Sequence, residues 1–171
     1  MRDHFEAILE YAKAYAAMER LQRQEGALFP IGDQKTGVIA EFYARLYVSD
    51  QFPEAKAIYG TPSEHAWDIT VRREHLEDHK IQVKSVSSHS QTSRISPIHP
   101  GWHELYLMRF DAQFHPVGFW VLSSTVATWS GSKLGASTMP CRHPAKTGSA
   151  AFVGAVDRLD ALNRVIERAR A

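Results

Sequence analysis

Four polar residues in the first half of the chain have the types and spacing that metal-assisted hydrolysis of a phosphodiester requires. Gln82 and Lys84 stand two residues apart in the alternating stretch 80–86, so their side chains leave the same face of a predicted strand. Asp68 lies in the preceding alternating stretch, and Glu41 lies in an earlier stretch with helical periodicity. If the two strands pair, a carboxylate, an amide oxygen and an ammonium converge on one side of a sheet.

Hydrolysis of a phosphodiester requires a divalent cation that neutralises charge on the phosphate and lowers the pKa of a bound water. Mg²⁺ binds oxygen ligands and keeps several of its waters, so one or two carboxylates are sufficient on the protein side. Asp68 can supply one carboxylate and Glu41 a second, and the carbonyl of Val83 lies between Gln82 and Lys84 as a further oxygen ligand. A lysine such as Lys84 can stabilise charge that develops in the transition state.

Hydrophobic periodicity predicts the elements that must position these residues. Two amphipathic helices come first, two alternating strands carry the polar residues, two nearly continuous apolar strands follow, and a helix closes the chain. The predicted ranges are 3–25 and 37–48 for the first helices, 66–72 and 80–86 for the alternating strands, 104–110 and 117–122 for the apolar strands, and 149–170 for the last helix, whose apolar face contains Phe152, Val156, Leu159, Leu162 and Ile166.

This order of elements predicts an α/β fold with a mixed β-sheet of about four or five strands flanked by helices. The 171 residues form one predicted domain, with the N-terminal helix in 1–26, the core in 37–122 and the C-terminal helix in 149–170. In the first alternating strand, Trp67, Ile69 and Val71 are predicted to share one face. The apolar strands are predicted to be central strands that are covered on both faces. Residues 50–63 fit no element clearly, 87–102 are predicted to be a loop, and 111–116 a hairpin connection.

Three segments resemble, in the same order, the core of the PD-(D/E)XK (restriction-endonuclease-like) nucleases. Residues 37–46 are similar to the Glu-bearing first helix, 67–71 to the Asp-bearing strand, and 81–87 to the (D/E/Q)-x-K strand. The match spans about a third of the chain. Gln82 takes a position that an acid usually holds in the family, and the segment after Lys84 lacks the helical pattern that usually follows.

The resemblance implies an αβββαβ core, a Mg²⁺ cofactor for which Mn²⁺ can substitute, and endonucleolytic cleavage of DNA by an activated water. It implies that Asp68 and the Val83 carbonyl are the core metal ligands, that Glu41 acts through the metal or its waters, that Gln82 completes the metal site, and that Lys84 is the catalytic cation. A homodimer is also implied, because cleavage of a duplex in this superfamily often uses two active sites. The resemblance leaves open whether a helicase or methyltransferase partner is required.

Nucleic-acid contacts are predicted for two polar loop regions. In the loop 87–102, Arg94 and His99 suit phosphate or base contacts. Further along, Lys133, Arg142 and Lys146 can contribute to a basic face, although a solvated surface explains them equally well. The net charge of only +1 gives weak support for nucleic-acid binding, and the sequence leaves the choice between DNA and RNA open.

Each site residue also has a simpler interpretation. Glu41 can pair with Arg45 one helical turn away, Asp68 and Lys84 can form a cross-strand ion pair, and Gln82 can be an ordinary exposed strand residue. A corresponding alternative for the whole protein is a nuclease-fold module that binds nucleic acid or a protein partner with little or no catalysis.

The remaining features of the sequence predict a cytoplasmic protein. A lone Cys141 excludes an internal disulfide and fits a reducing compartment. No apolar run is long enough to span a bilayer, and residues 1–6 carry acids where a signal peptide needs an apolar stretch.

Overall fold

The structure is a computed structural model that describes residues 2–22, 36–60, 66–89, 95–96, 98–125 and 154–170. Within these residues the protein is an α/β fold with a mixed six-stranded sheet and three helices. The elements in chain order are α1 (Arg2–Gln22), α2 (Thr36–Gln51), β1 (Lys56–Tyr59), β2 (Ile69–Arg72), β3 (His79–Ser87), β4 (Glu104–Phe110), β5 (Pro116–Ser123), β6 (Val156–Asp157) and α3 (Leu159–Arg170).

The strands lie in the order β1-β2-β3-β4-β5-β6, and every neighbouring pair is antiparallel except β3 and β4. A parallel pair needs a crossover connection, which residues 88–103 supply. The β4–β5 connection is the predicted hairpin: Asp111 N–H donates to the His115 carbonyl at 3.0 Å. The described helices include none that is long and apolar enough to cross a membrane.

One face of the sheet packs against all three helices in the larger of two apolar clusters. The strands contribute alternate residues to it, because successive side chains of a strand point to opposite faces. The helices contribute residues spaced three and four apart, which form one apolar face on each helix. The largest fully buried side chains of this cluster are Phe5, Ile39, Tyr43, Ile69, Ile81, Tyr106, Phe110, Phe114 and Phe119.

The opposite face of the sheet is covered by the crossover connection. Leu105 and Leu107 of β4 pack there with Trp120 and Leu122 of β5, and the crossover supplies Ile98 and Trp102. The central strand β4 is therefore buried on both faces, which confirms the prediction from its unbroken apolarity. The same arrangement places Gln82 and Lys84 on this second face, since they pair in register with Leu105 and Leu107.

The sheet has two strands that the sequence pattern does not predict. β1 lies in the unassigned stretch 50–63, and β6 occupies residues that were expected to belong to the last helix. Residues 149–153 of the predicted last helix, including Phe152, lie outside the described residues. Over 154–158 the prediction is wrong, since α3 begins at Leu159, where the Asp157 carboxylate accepts a hydrogen bond from the Leu159 N–H at 2.9 Å as an N-cap. Val156 therefore pairs with Val121 in the sheet and is 46% exposed, instead of lying on the apolar face of the helix.

The first alternating strand is shorter than predicted. β2 begins at Ile69, so Ala66 and Trp67 precede it in a bend. Trp67 does not share the helix-side cluster with Ile69 and Val71; its ring lies 3.7 Å from the Lys80 ammonium. A cation over a tryptophan ring is a favourable contact, and it directs Trp67 toward the side chains of the second face.

Candidate active site

The site begins where β2 stops pairing with β3. The last paired residues are Ile69 and Ile81. Beyond them, Asp68 N–H donates to the Ile81 carbonyl at 2.8 Å, and one Asp68 carboxylate oxygen accepts from Val83 N–H at 2.6 Å. The Asp68 carboxylate thus supplies the acceptor that a backbone carbonyl of a neighbouring strand would otherwise supply to Val83 N–H. The N–H and the carbonyl of one strand residue point to the same edge, so the Val83 carbonyl faces the edge that carries Asp68.

Asp68 is also held from the side of β1. Gly60 N–H, directly after β1, donates to the Asp68 carbonyl at 2.8 Å. The residue is therefore attached to both neighbouring strands. Its carboxyl is partly buried, and burial raises its pKa, while the hydrogen bond from Val83 N–H and the charge of Lys84 lower it. A preorganised carboxylate in a partly dry position is suited to bind a cation.

Glu41 lies in the second turn of α2, the helix that packs along β3. Its pKa is raised to about 7, first by burial and then by the negative charge of Asp68, while Lys84 opposes the shift. Arg45, the alternative ion-pair partner of Glu41, does not pair with it. The guanidinium of Arg45 lies over the Tyr59 ring, 4.7 Å from its centroid. Glu41 is therefore placed near the carboxylate of Asp68 and not in a surface pair with Arg45.

Lys84 is half-buried on the second face of the sheet. Burial lowers its pKa, and the charges of Asp68 and Glu41, in that order, oppose the lowering. Among the described residues, the ion pairs within 4.0 Å do not include Lys84 with either acid. Lys84 and the two acids thus interact electrostatically without a direct ion pair.

Gln82 is 1% exposed, so its interpretation as an exposed strand residue is wrong. Its amide nitrogen donates to the Ala66 carbonyl at 2.9 Å, and its amide oxygen accepts from the His99 N–H at 3.3 Å. Both ends of the amide connect β3 to flanking segments. The amide of Gln82 thus joins β3 to these two segments, and it brings the backbone of His99, a predicted nucleic-acid contact, to the same face.

The donor set fits a hard divalent cation. Asp68 and Glu41 supply two carboxylates and Val83 a carbonyl, which are the oxygen ligands that Mg²⁺ prefers, and Mg²⁺ retains waters at its other positions. A cation between the acids would also remove the repulsion that raises the pKa of Glu41. The described residues contain no group of three or more His, Cys, Asp or Glu side chains placed to hold a metal, so the site depends on these two acids.

The structure places most of the predicted site residues at this edge and adds two neighbours. Glu41, Asp68, Gln82 and Lys84 lie there with the Val83 backbone, whereas the predicted contacts Arg94, Lys133, Arg142 and Lys146 lie outside the described residues. The neighbours are Tyr59, which the sequence does not single out, and Arg45, which it offers only as an ion-pair partner of Glu41. Arg45 follows Glu41 by one helical turn, which is a signal in the sequence, but Tyr59 lies in a stretch without a clear pattern.

Comparison with known proteins adds no family assignment. The chain matches no protein-family model, and no curated protein matches it significantly in sequence. The assignment of a function therefore depends on the geometry and the charges at the edge of β3.

Proposed function

We propose that the protein is a divalent-metal-dependent endonuclease that hydrolyses phosphodiester bonds of DNA, with a core of the PD-(D/E)XK type. The observation that carries the proposal is that Glu41 of α2, Asp68 just before β2 and Lys84 of β3 interact electrostatically where β3 continues past β2, beside the Val83 backbone. A random set of surface charges would not be expected to combine partial burial with this mutual interaction.

The order of elements also supports the proposal. α2 is followed by the antiparallel strands β1, β2 and β3, and then, after the crossover, by β4 parallel to β3. This agrees with the αβββ part and the final strand of an αβββαβ core. The described residues of the crossover, 88–89, 95–96 and 98–103, are not helical, which is a difference from the pattern.

The residues of the site have separate tasks in such a reaction. A bound Mg²⁺ or Mn²⁺ supplies charge neutralisation at the phosphate and a water of lowered pKa. Asp68, Glu41 and the Val83 carbonyl would hold it. The hydrogen bond from Val83 N–H keeps the Asp68 carboxylate in place before substrate arrives, and the Lys84 ammonium stabilises negative charge that develops on the phosphate. Gln82 positions β3 relative to the segments around Ala66 and His99.

A plasmid-nicking assay with Mg²⁺ or Mn²⁺ tests the proposal. Asp68→Asn and Lys84→Met should lose nicking, because each removes a charge at the site. The matched controls are Asp78→Asn, an acid paired with Arg72, and Lys13→Met on α1, both outside the site; they should nick like wild type. A wild-type protein that cuts DNA with neither metal, or site variants that cut at the wild-type rate, would reject the assignment. A parallel arm with labelled RNA decides between the two nucleic acids.

A second candidate is a nuclease-fold module that binds nucleic acid without efficient cleavage. It is favoured by the neutral Gln82, whose amide is already bonded at both ends, and by the Glu41 pKa of about 7, which leaves the Glu41 carboxyl only partly ionised at neutral pH. Calorimetric titration with Mn²⁺ separates the candidates. Binding that disappears in Asp68→Asn supports the nuclease, and wild-type protein that binds DNA but no metal supports the module.

We further propose a homodimer, because two sites are needed for cutting both strands of a duplex. Sedimentation with and without DNA tests it. If the protein is a monomer in both conditions, the proposed dimer is wrong, and the proposed activity is nicking of one strand of a duplex.

A further inference from the structure

A cleft of about 340 Å³ lies between α1, α2 and β1. Residues of three elements line it: one from α1, four from α2 and one from β1. They are His4, Phe42, Arg45, Leu46, Ser49 and Tyr59. The contributions of α2 recur at helical spacing and include the residue directly after Glu41, so the cleft and the site share one helix.

The lining combines aromatic rings with the guanidinium of Arg45 and the imidazole of His4. The Arg45 guanidinium lies 4.7 Å from the Tyr59 ring centroid, and Tyr59 is 40% exposed. Phe42 is half-buried against Phe5, and His4 and Arg45 are exposed. The six lining residues include no Asp or Glu. Aromatic rings and guanidinium planes stack on nucleobases, and cations pair with phosphates, so the cleft is complementary to an anionic, aromatic ligand.

Two interactions connect the cleft to the active site. Burial raises the pKa of Tyr59, Arg45 opposes the shift, and the negative charge of Glu41 adds to it, so Tyr59 and Glu41 interact electrostatically. Gly60, the residue after Tyr59, donates its N–H to the Asp68 carbonyl at 2.8 Å. A nucleotide bound in the cleft would therefore lie only a short distance, along the same nucleic-acid strand, from a phosphate beside Glu41 and Asp68.

We propose that the cleft binds one unpaired nucleotide of the substrate, with its base on the Arg45–Tyr59 stack and its phosphate toward Arg45 and His4. A base inside a continuous duplex is paired and is stacked on its neighbours, so a base that enters a cleft must belong to a single-stranded extension or be extruded. The volume is in the range of pockets that enclose one small molecule. This inference rests on the proposed function and specifies its substrate: nucleic acid with an unpaired segment beside the cut.

Metal-free fluorescence anisotropy tests the inference without cleavage. Three labelled probes share one duplex: a blunt end, a short thymidine extension, and the same extension with abasic residues. Wild type should bind the thymidine extension roughly 5- to 100-fold more tightly than the blunt duplex, from the free energy of stacking one base. The abasic extension should bind like the blunt end.

Substitutions assign the preference to the cleft. Tyr59→Leu should abolish it, Tyr59→Phe should retain it because the ring remains, and Arg45→Gln should weaken binding of the extended probe. The matched controls are Leu76→Ala, an exposed apolar residue outside the cleft, and Arg164→Gln, an exposed arginine on α3; both should bind like wild type. Thermal melts verify that the variants are folded.

The outcomes separate this inference from the proposed function. If Asp68→Asn abolishes nicking while Tyr59→Leu keeps the full preference for the extension, the cleft assignment is wrong and the nuclease assignment stands. If wild type never nicks DNA but Tyr59→Leu loses the preference, the cleft stands as part of a binding module. Equal wild-type affinity for all three probes overturns the inference.

Discussion

The Asp68 carboxylate accepts a hydrogen bond of 2.6 Å from the Val83 N–H, at the first position of β3 where β2 no longer supplies a partner. The contact has two consequences. It satisfies a backbone donor that would otherwise lie unpaired at a partly buried edge, and it directs a carboxylate to the carbonyl of the same residue. Structural and chemical roles of Asp68 are thus combined in one group, and substitutions can separate them.

Asp68→Asn and Asp68→Ala are expected to differ in stability but to agree in activity. Asn keeps an oxygen that can accept from the Val83 N–H, and it removes the burial of a charge that raises the Asp68 pKa. Ala leaves the N–H without an acceptor, which costs about 1–3 kcal/mol. Urea denaturation without metal should therefore rank Asn at or above wild type and Ala below it. Equal stability of the two variants would show that this hydrogen bond does not contribute to the free energy of unfolding.

Glu41→Gln is expected to stabilise the metal-free protein at high pH. The Glu41 pKa is about 7 in the fold, against an ordinary value of 4.5. The favourable contribution of protonated Glu41 to the free energy of unfolding is complete below about pH 4.5, and it is lost as pH rises through about 7. After allowance for solvent screening, we expect the variant to gain about 1–2 kcal/mol at pH 8 and almost nothing at pH 4.5. A gain of the same size at both pH values would contradict this origin.

The same titration predicts how metal binding depends on pH. Ligands must be deprotonated to bind a cation, so Mn²⁺ affinity should increase as pH rises through about 7 in the wild type. In Glu41→Gln this part of the pH dependence should vanish, although Asp68 can still bind. Calorimetry at several pH values measures the effect, and an unchanged pH profile in the variant would remove Glu41 from the metal site.

Lys84→Met is expected to reduce cleavage about 100- to 1,000-fold, the usual loss when one preorganised electrostatic group is removed. Stability should not fall at neutral pH, because burial of the ammonium lowers the Lys84 pKa and the charge is thus costly in the fold. Loss of the cation should also move the Glu41 pKa above 7. The pH dependence of unfolding measures that shift, which a residue with a packing role alone would not produce.

Gln82→Glu is expected to destabilise the metal-free protein although it introduces the acid usual in the resembled family. The Gln82 amide nitrogen donates to the Ala66 carbonyl, and an ionised carboxylate there would place two acceptors together. The loss should be about 1–3 kcal/mol at pH 8 and smaller at low pH, where a protonated carboxyl can donate. Gln82→Leu is the control, because it loses both amide contacts at every pH. Thermal melts at two pH values distinguish the pair.

Local periodicity predicts much of this fold. The helical spacing around Ile39 and Tyr43, the alternation of Ile81 and Val83, and the unbroken apolarity of β4 each report how one segment is buried. Local periodicity does not predict β1 and β6, and the cause is physical. Strands of four and two residues at or near the edge of a sheet are held by backbone pairing to Arg72 or Val121 and have few buried side chains of their own.

The sequence alone determined which side chains are available at the site: two acids, an amide and a lysine, with Gln82 and Lys84 on one face because strand alternation places them there. What each of them contacts follows from the tertiary structure. Val83 N–H donates to the Asp68 carboxylate because the pairing of β2 with β3 stops at Ile81. The Gln82 amide bonds to Ala66 and His99, and the Arg45 guanidinium lies over the Tyr59 ring instead of pairing with Glu41. These choices depend on distances between segments far apart in the chain, which local periodicity does not contain.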